Sequence, residues 1–333
     1  MAKIHIMTDA LASKVAAGEV VERPASVVKE LIENSIDAGA SSIAVEIEQG
    51  GTALIRVTDN GSGMSREDAI LAIERHATSK LLNVSDLSSL LTYGFRGEAL
   101  PSIGSVSKFR LASREKDTLV GTEILIDGGK LSDVGDSGIA AGTQVEIRNL
   151  FYNVPARRKF LKGRATEFGH IEEVVRVAAI ISPEITFTLR HGSRHVLRLA
   201  ATARQLDRIA DLVGLELIDH LIEFKGSDND NKLSVSGWVS EPGYSRRNRR
   251  LQYSFLNGRP IDSQAVAFAL KDAYAGIIDR GAFPSAFVFI NAPPSSVDVN
   301  VHPTKREVRF HNHRAVQQLL SGSVQQAITK KLS

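Results

Sequence analysis

Apolar and polar positions alternate along the chain with two periods, one of ~3.6 residues and one of two, and these divide it into short helices and strands. The clearest helix is predicted over residues 24–38, Pro-Ala-Ser-Val-Val-Lys-Glu-Leu-Ile-Glu-Asn-Ser-Ile-Asp-Ala, with Gly39 just beyond it. Proline at the first helical position and glycine after the last are start and stop signals. At ~100° per residue, Val27, Val28, Leu31, Ile32, Ser35 and Ile36 form an apolar half, while Lys29 and Glu33 point to water. A third stripe, Glu30, Asn34 and Asp37, spans only ~60° beside that half. Two carboxylates and an amide at the edge of a core are either a wetted face or part of a site.

After Gly39 the period becomes two. Ile43, Val45 and Ile47 alternate with polar or small residues, Gln49-Gly50-Gly51 turns, and 54–58 returns as a strand. Ile55 and Val57 share one face of it, and the next residue on that face is Asp59, before Asn60-Gly61-Ser62-Gly63. A carboxylate on an inward face requires a partner. It can cap its own turn. It can equally accept from an amino group such as that of adenine, the glycines letting a flat ring approach the backbone.

Ser65, with Asp68 three residues on, opens another helix. Strands are predicted at 108–113, 122–127 and 143–148, a helix at 166–181 and a hairpin at 185–199 around His191-Gly192-Ser193. Residues 200–205 read as a linker, which gives domains of 1–203 and 204–333. In the second half, 212–224, 233–239, 253–257 and 286–290 read as strands, 263–274 and 316–331 as helices. Such alternation suggests β-α-β units.

Composition narrows the class. The 333 residues, 43% hydrophobic and 24% charged, suit a globular chain of about two domains. The absence of cysteine excludes disulfides, thiolate metal sites and cysteine nucleophiles. No apolar run approaches the ~18 residues of a membrane span, and Asp9 falls too early for a signal peptide, so an intracellular protein is expected. The net charge of +3 leaves room for local basic patches. Arg157, Arg158, Lys159, Arg246, Arg247, Arg249, Arg250 and Lys271 are such residues, fit for nucleic acid or for solvated loops.

Two further loops carry possible chemistry. Gly94 and Gly97, three apart and before a short helical signal, fit a phosphate cradle or a surface loop. Residues 298–306 form a proline-broken loop able to project Lys305. No P-loop and no dinucleotide fingerprint is present, and His311-Asn312-His313 has no carboxylate at metal-ligand spacing.

Four separated stretches, Glu30 to Gly39, Asp59 to Gly63, Gly94 to Leu100 and Gly142-Thr143, resemble the four ATP-site motifs of the GHKL superfamily. Longer wording is similar to the MutL mismatch repair family in particular: Ala16 to Pro24, Gly94 to Leu100, Phe151-Tyr152-Asn153 with Pro155 to Phe160, and Val299 to Pro303 with Lys305. The resemblance runs from about Ile4 to Phe310 and covers that family's N-terminal ATPase region; its C-terminal dimerisation domain and Asp-Gln-His-Ala nuclease motif have no counterpart here.

The resemblance implies an α+β architecture: a two-layer α/β sandwich of the GHKL type, then a second α/β domain resembling the second domain of a small-subunit ribosomal protein. It implies ATP and Mg2+ as cofactors and slow ATP hydrolysis. Glu30 would be the general base and Asn34 the single protein ligand to magnesium, with Asp37 structural. Asp59 would read the adenine amino group, supported by Thr143, with Gly61 and Gly63 lining the ring. Gly94, Arg96 and Gly97 would form a phosphate lid that Lys80 assists, and Lys305 would reach the γ-phosphate from the second domain. The implied partners are DNA, bound without sequence reading through Arg157, Arg158, Arg246, Arg247, Arg249 and Lys271; a second copy, in an ATP-dependent dimer; and a MutS-type mismatch-recognition protein with a downstream nuclease or helicase. A bacterial cytoplasmic location, nucleoid-associated when active, goes with this. Two alternatives share the site chemistry: the ATPase module of a type II topoisomerase, and a clamp for which ATP binding alone is the signal.

Overall fold

The computed structural model describes residues 21–74, 98–298 and 308–332. Met1–Arg208 and Ile209–Ser333 form two compact units. Among the described residues no helix is long and apolar enough to cross a membrane.

The first unit is built on one sheet of eight strands: β1 Ser42–Glu48, β2 Leu54–Asp59, β3 Lys108–Arg114, β4 Gly121–Asp127, β5 Lys130–Ser137, β6 Gly142–Arg148, β7 Thr186–His191 and β8 Arg194–Leu199. They lie in the order β5-β4-β3-β6-β2-β1-β7-β8. Neighbours run antiparallel, except that β1 and β7 are parallel. Among its described residues the unit also holds helices α1 Pro24–Asp37, α2 Arg66–Ala72, α3 Ala99–Ser105, α4 Pro155–Phe160 and α5 Arg164–Ile181.

Helix α1 forms where its pattern predicts. Its last turn closes through Ala38 N–H to Asn34 O at 2.9 Å and Ala40 N–H to Ser35 O at 3.1 Å, around Gly39 at φ +68°. Val27, Val28, Leu31 and Ile32 are buried, and α1 packs against α5 and on β2. Each such side chain contributes about 1.5–3 kcal/mol by leaving water. Ile36, expected with them, is only half-buried, because it lies at the margin of the apolar arc. The Ser65 cap is present, its hydroxyl accepting from Asp68 N–H at 3.0 Å.

The other face of this sheet is a lattice of crossed charges. Arg56 on β2 pairs with Glu146 on β6 at 2.7 Å and Glu46 on β1 at 3.2 Å; Arg148 meets Glu146 at 2.6 Å, and Arg110 on β3 bridges Glu123 on β4. Burial pulls the Arg56 guanidinium down, but the hydrogen bond and charge of Glu146, with Glu46 and Glu48, outweigh it and leave the group above its ordinary range. A sheet with helices on one face and paired charges on the other is a two-layer sandwich.

Residues 149–153 carry left-handed backbone at two non-glycine positions, Asn149 at φ +53° and Phe151 at φ +62°. The strain seats three side chains. Phe151 is fully buried, with its N–H on Val106 O at 2.7 Å; Asn153 Nδ2 donates to Ser105 O at 2.9 Å; the Tyr152 hydroxyl donates to Asp127 at the β4–β5 turn. The strand β5 was not expected from sequence, since Lys130 to Ser137 lacks an apolar alternation and is largely exposed as a sheet edge.

The first unit ends on a buried arginine. Arg208 in α6 Gln205–Val213 is fully buried, and its Nη2 donates to the carbonyls of Pro183, Ile185 and Ala200 at 2.7, 2.9 and 2.7 Å.

The second unit holds α7 Leu215–Ile218 and a five-stranded sheet, ordered β12-β11-β13-β10-β9, of β9 Leu221–Asp228, β10 Leu233–Ser240, β11 Gln252–Leu256, β12 Arg259–Pro260 and β13 Ala286–Asn291. A short pair, β14 Val297–Asp298 with β15 Arg309–Phe310, lies apart. Helices α8 Gln264–Ala273 and α9 His313–Leu332 pack together, and the core includes Val266, Leu270, Val288, Ile290, Leu320 and Val324. Among the described residues the expected β-α-β unit is seen as β11-α8-β13, with parallel strands. The expected strand at 212–224 is corrected: Gly214 at φ +88° separates the two helical pieces α6 and α7, and the strand starts only at Leu221.

Tyr152 gives the fold a pH dependence. Its hydrogen bond to Asp127 pushes the phenol up to about 12, and the same bond holds the Asp127 carboxyl below its ordinary range. A raised phenol stabilises the fold below its unfolded value and stops doing so as pH rises through about 12. Tyr152→Phe should lower the thermal midpoint at neutral pH. The gap between variant and parent should shrink as pH goes from about 10 to 12; melting curves across that range check it.

Candidate nucleotide site

One edge of α1 and the ends of two strands meet at Asp59. Its Oδ2 accepts from the Ser35 hydroxyl at 2.8 Å, and its Oδ1 accepts from Gly61 N–H at 2.9 Å and Thr143 N–H at 3.3 Å. The helix, the turn after β2 and the start of β6 thus converge on one half-buried carboxylate. Strand register makes this possible, since Asp59 lies opposite Thr143 on β6 and Ile43 on β1. Both readings of Asp59 have physical content here: it caps its own turn through Gly61, and it sits on the inward face after Ile55 and Val57, which are buried.

The surrounding backbone is fixed closely. Ser62 N–H donates to Ala38 O at 2.9 Å, joining the turn to the C-terminal end of α1. Asn60 Oδ1 accepts from Ser41 and Ser42 N–H, each at 2.9 Å, and its Nδ2 reaches Ser41 Oγ at 2.8 Å. On the other side, Thr143 Oγ1 and Ser113 Oγ are 2.8 Å apart. Two glycines allow close approach. A Cβ on Gly63, at φ +73°, would stand 2.0 Å from Arg114 O, and one on Gly142, at φ +120°, 2.1 Å from Asp59 O.

Glu30, Asn34 and Asp37 follow along the same edge of α1, all half-buried. Gly61 is buried and Gly63 half-buried at the turn. Lys80, Gly94, Arg96, Gly97 and Lys305 lie outside the described residues. Among the described residues no group of three or more His, Cys, Asp or Glu could hold a metal ion. The donor set at this edge, with the Asn34 amide oxygen, fits a metal whose other ligands are phosphates and water, which is how Mg2+ is commonly held.

Sequence reasoning placed Ser35 in the apolar half of α1 and so missed its bond to Asp59. The available signal was a hydroxyl at an otherwise aliphatic, fully inward position. Ser113, which supports Thr143, carried no distinguishing pattern.

The basic residues fall into three places. Arg157 is half-buried on α4 and donates to Val21 O at 3.1 Å, while Arg158 is exposed beside it. Arg246, Arg247 and Arg249 are exposed in one loop of the second unit. There the Arg249 guanidinium lies 4.8 Å from the Phe283 ring centre, and Arg246 and Phe283 exchange two backbone hydrogen bonds of 2.7 Å. Lys271 is exposed in the last turn of α8.

Comparison with known proteins gives two family models: residues 22–148 match the histidine kinase-, DNA gyrase B- and HSP90-like ATPase, and residues 209–329 match the DNA mismatch repair protein, C-terminal domain. A curated relative, the DNA mismatch repair protein MutL of Opitutus terrae, is 48% identical over 328 residues, covering 98% of this chain and 52% of the relative. The chain thus spans about half the length of the curated relatives it matches. Among solved structures, the Aquifex aeolicus MutL ATPase domain complexed with ADP is 29% identical at a TM-score of 0.62, covering 90% of this chain and 98% of that one. The N-terminal domain of a DNA repair protein has the same fold, with a TM-score of 0.82 at 24% identity over 96% of this chain and 98% of that one.

The close approach of Gly142 to Asp59 yields a prediction. Gly142→Ala should destabilise the protein by about 2 kcal/mol, through forced φ and collision with the Asp59 carbonyl. Urea unfolding against the parent checks it.

Proposed function

Over the length it spans, the chain belongs to the MutL family of DNA mismatch repair proteins, and on that footing we propose that its first unit binds ATP and hydrolyses it slowly to ADP and phosphate. The observation that carries the reading is the Asp59 carboxylate, held from three elements at the inward end of β2 and beside the Glu30–Asn34 edge of α1. A fixed anionic acceptor next to close-approaching glycine backbone suits the exocyclic amino group of adenine. Thr143, whose N–H braces the carboxylate, supports that contact, and Gly61 and Gly63 admit the ring.

Glu30 lies two helical turns before Asp37 on this edge, and the reading gives it the reacting water. Its carboxylate orients the water and takes one proton, the water oxygen bonds to the γ-phosphorus, and the bond from that phosphorus to the β–γ bridging oxygen breaks, with ADP leaving. Asn34 would hold Mg2+, which when bound neutralises charge on the phosphate oxygens. A neutral amide there avoids a further anion beside the triphosphate. The phosphate roles of Lys80, Gly94, Arg96, Gly97 and Lys305 rest on resemblance of wording alone.

The wider reading follows the family. The chain would act in a clamp that dimerises with ATP, binds DNA without reading sequence, and passes a mismatch signal from a MutS-type protein to a nuclease or helicase in the bacterial cytoplasm. Arg158, Arg246, Arg247 and Lys271 are exposed toward phosphates, whereas Arg157 is partly committed to Val21 and the exposed Arg249 to the Phe283 ring. Such binding falls steeply with salt. The topoisomerase reading has less support, because the curated relatives are mismatch repair proteins by name.

Two substitutions separate binding from chemistry. Glu30→Ala should bind ATP with near-parental affinity and lose turnover by about 100-fold or more; single-turnover assays beside calorimetry decide, and parental turnover would remove Glu30 from the base role. Asp59→Asn should weaken ATP binding by about tenfold or more, since an amide turns an acceptor partly into a donor; unchanged affinity by calorimetry would remove the adenine contact.

A further inference from the structure

We propose that Ser35 is a positioning residue for base selection, its hydroxyl aiming the one acceptor position that Asp59 keeps for a nucleotide. The inference rests on the adenine reading of Asp59 given above. Ser35 is buried at 3% exposure inside the apolar half of α1. Its hydroxyl lies between two acceptors, Asp59 Oδ2 at 2.8 Å and Leu31 O at 3.1 Å in the preceding turn.

A serine hydroxyl has one hydrogen to give. Bonding back to the carbonyl four residues earlier is the ordinary fate of a mid-helix serine and would make Ser35 merely a satisfied core hydroxyl. The nearer acceptor is a carboxylate, however, and a charged acceptor outcompetes a neutral carbonyl. The hydrogen therefore goes to Asp59.

The remaining capacity of Asp59 follows from its donors. A carboxylate offers about four acceptor positions, two on each oxygen. Gly61 and Thr143 N–H fill the two on Oδ1, and Ser35 fills one on Oδ2, so among the described residues a single position on Oδ2 stays open. Gly61 and Thr143 fix Oδ1, and Ser35 fixes Oδ2, the oxygen whose remaining position the proposal gives to the nucleotide. Its bond prevents the carboxylate from rotating about χ2 and so sets the direction along which an amino group must approach. An amino group at C6 of a purine satisfies that lone pair; a carbonyl oxygen there, as in inosine or guanosine, meets it with like partial charge.

The test compares ATP with inosine triphosphate, which carries oxygen where adenine carries the amino group, by measuring both dissociation constants on the whole chain. The parent should prefer ATP by about 100-fold, since the oxygen of inosine triphosphate leaves the open acceptor unpaired. Ser35→Ala should lower that preference to about tenfold or less, by weakening ATP and leaving inosine triphosphate unchanged. Ser35→Cys, close in size but a weaker donor, should fall between, and it serves as the comparison if the alanine variant does not fold.

Equal weakening of both nucleotides in Ser35→Ala, or a fully retained preference, would overturn the positioning role and leave the Asp59 reading standing. If the parent itself binds the two nucleotides alike, the adenine reading fails first and the role of Ser35 with it.

Discussion

A buried hydroxyl and two backbone amides hold one carboxylate in place, and much of the first unit is arranged so that they can. Asp59 receives Ser35 from α1, Gly61 from its own turn and Thr143 from β6. Each donor is delivered by a different device: the apolar face of α1 by aliphatic burial, the turn by its bond to Ala38 O, and β6 by antiparallel register against β2. A carboxylate so braced loses little freedom when a ligand arrives, and a pre-organised acceptor contributes more to recognition than one that must first be ordered. Glu30 and Asn34 are rigid for the same reason, since they ride on a helix whose other side is core.

The two faces of the eight-stranded sheet show how one layer is kept single. Alternation along β1 sends Ile43, Val45 and Ile47 toward the helices and Glu46 to the opposite side, where Arg56 and Glu146 meet it directly and through a shared guanidinium. Isolated surface ion pairs contribute little to stability. A lattice of them keeps this face polar among the described residues.

Much of this could be read from residues in order. The Pro24 to Gly39 punctuation, the aliphatic period of α1 and the alternation into Asp59 specify a helix, a strand and an inward carboxylate by local rules alone. The oddity of Ser35 was legible but its partner was not, because the 2.8 Å approach of Asp59 to its hydroxyl comes from tertiary packing. The edge strand β5 was hidden because it buries almost nothing and exists through pairing with β4. The 212–224 stretch misled in the opposite way. Its aliphatic residues suit either period, and the decision rests on Gly214 taking a left-handed conformation that ends one helix and starts another.

Arg208 gives the first unit a chemical terminus in place of a topological one. The last strand ends at Leu199, yet the carbonyls of Pro183, Ile185 and Ala200 all accept from a guanidinium that arrives with the next helix, Pro183 O taking Thr202 N–H as well. A polypeptide trimmed in the loop before α6 would keep all eight strands and still leave three oxygens without that donor. Where this unit is cut, fused or tagged thus bears on one side chain in α6, whose removal would strip a shared donor from three carbonyls.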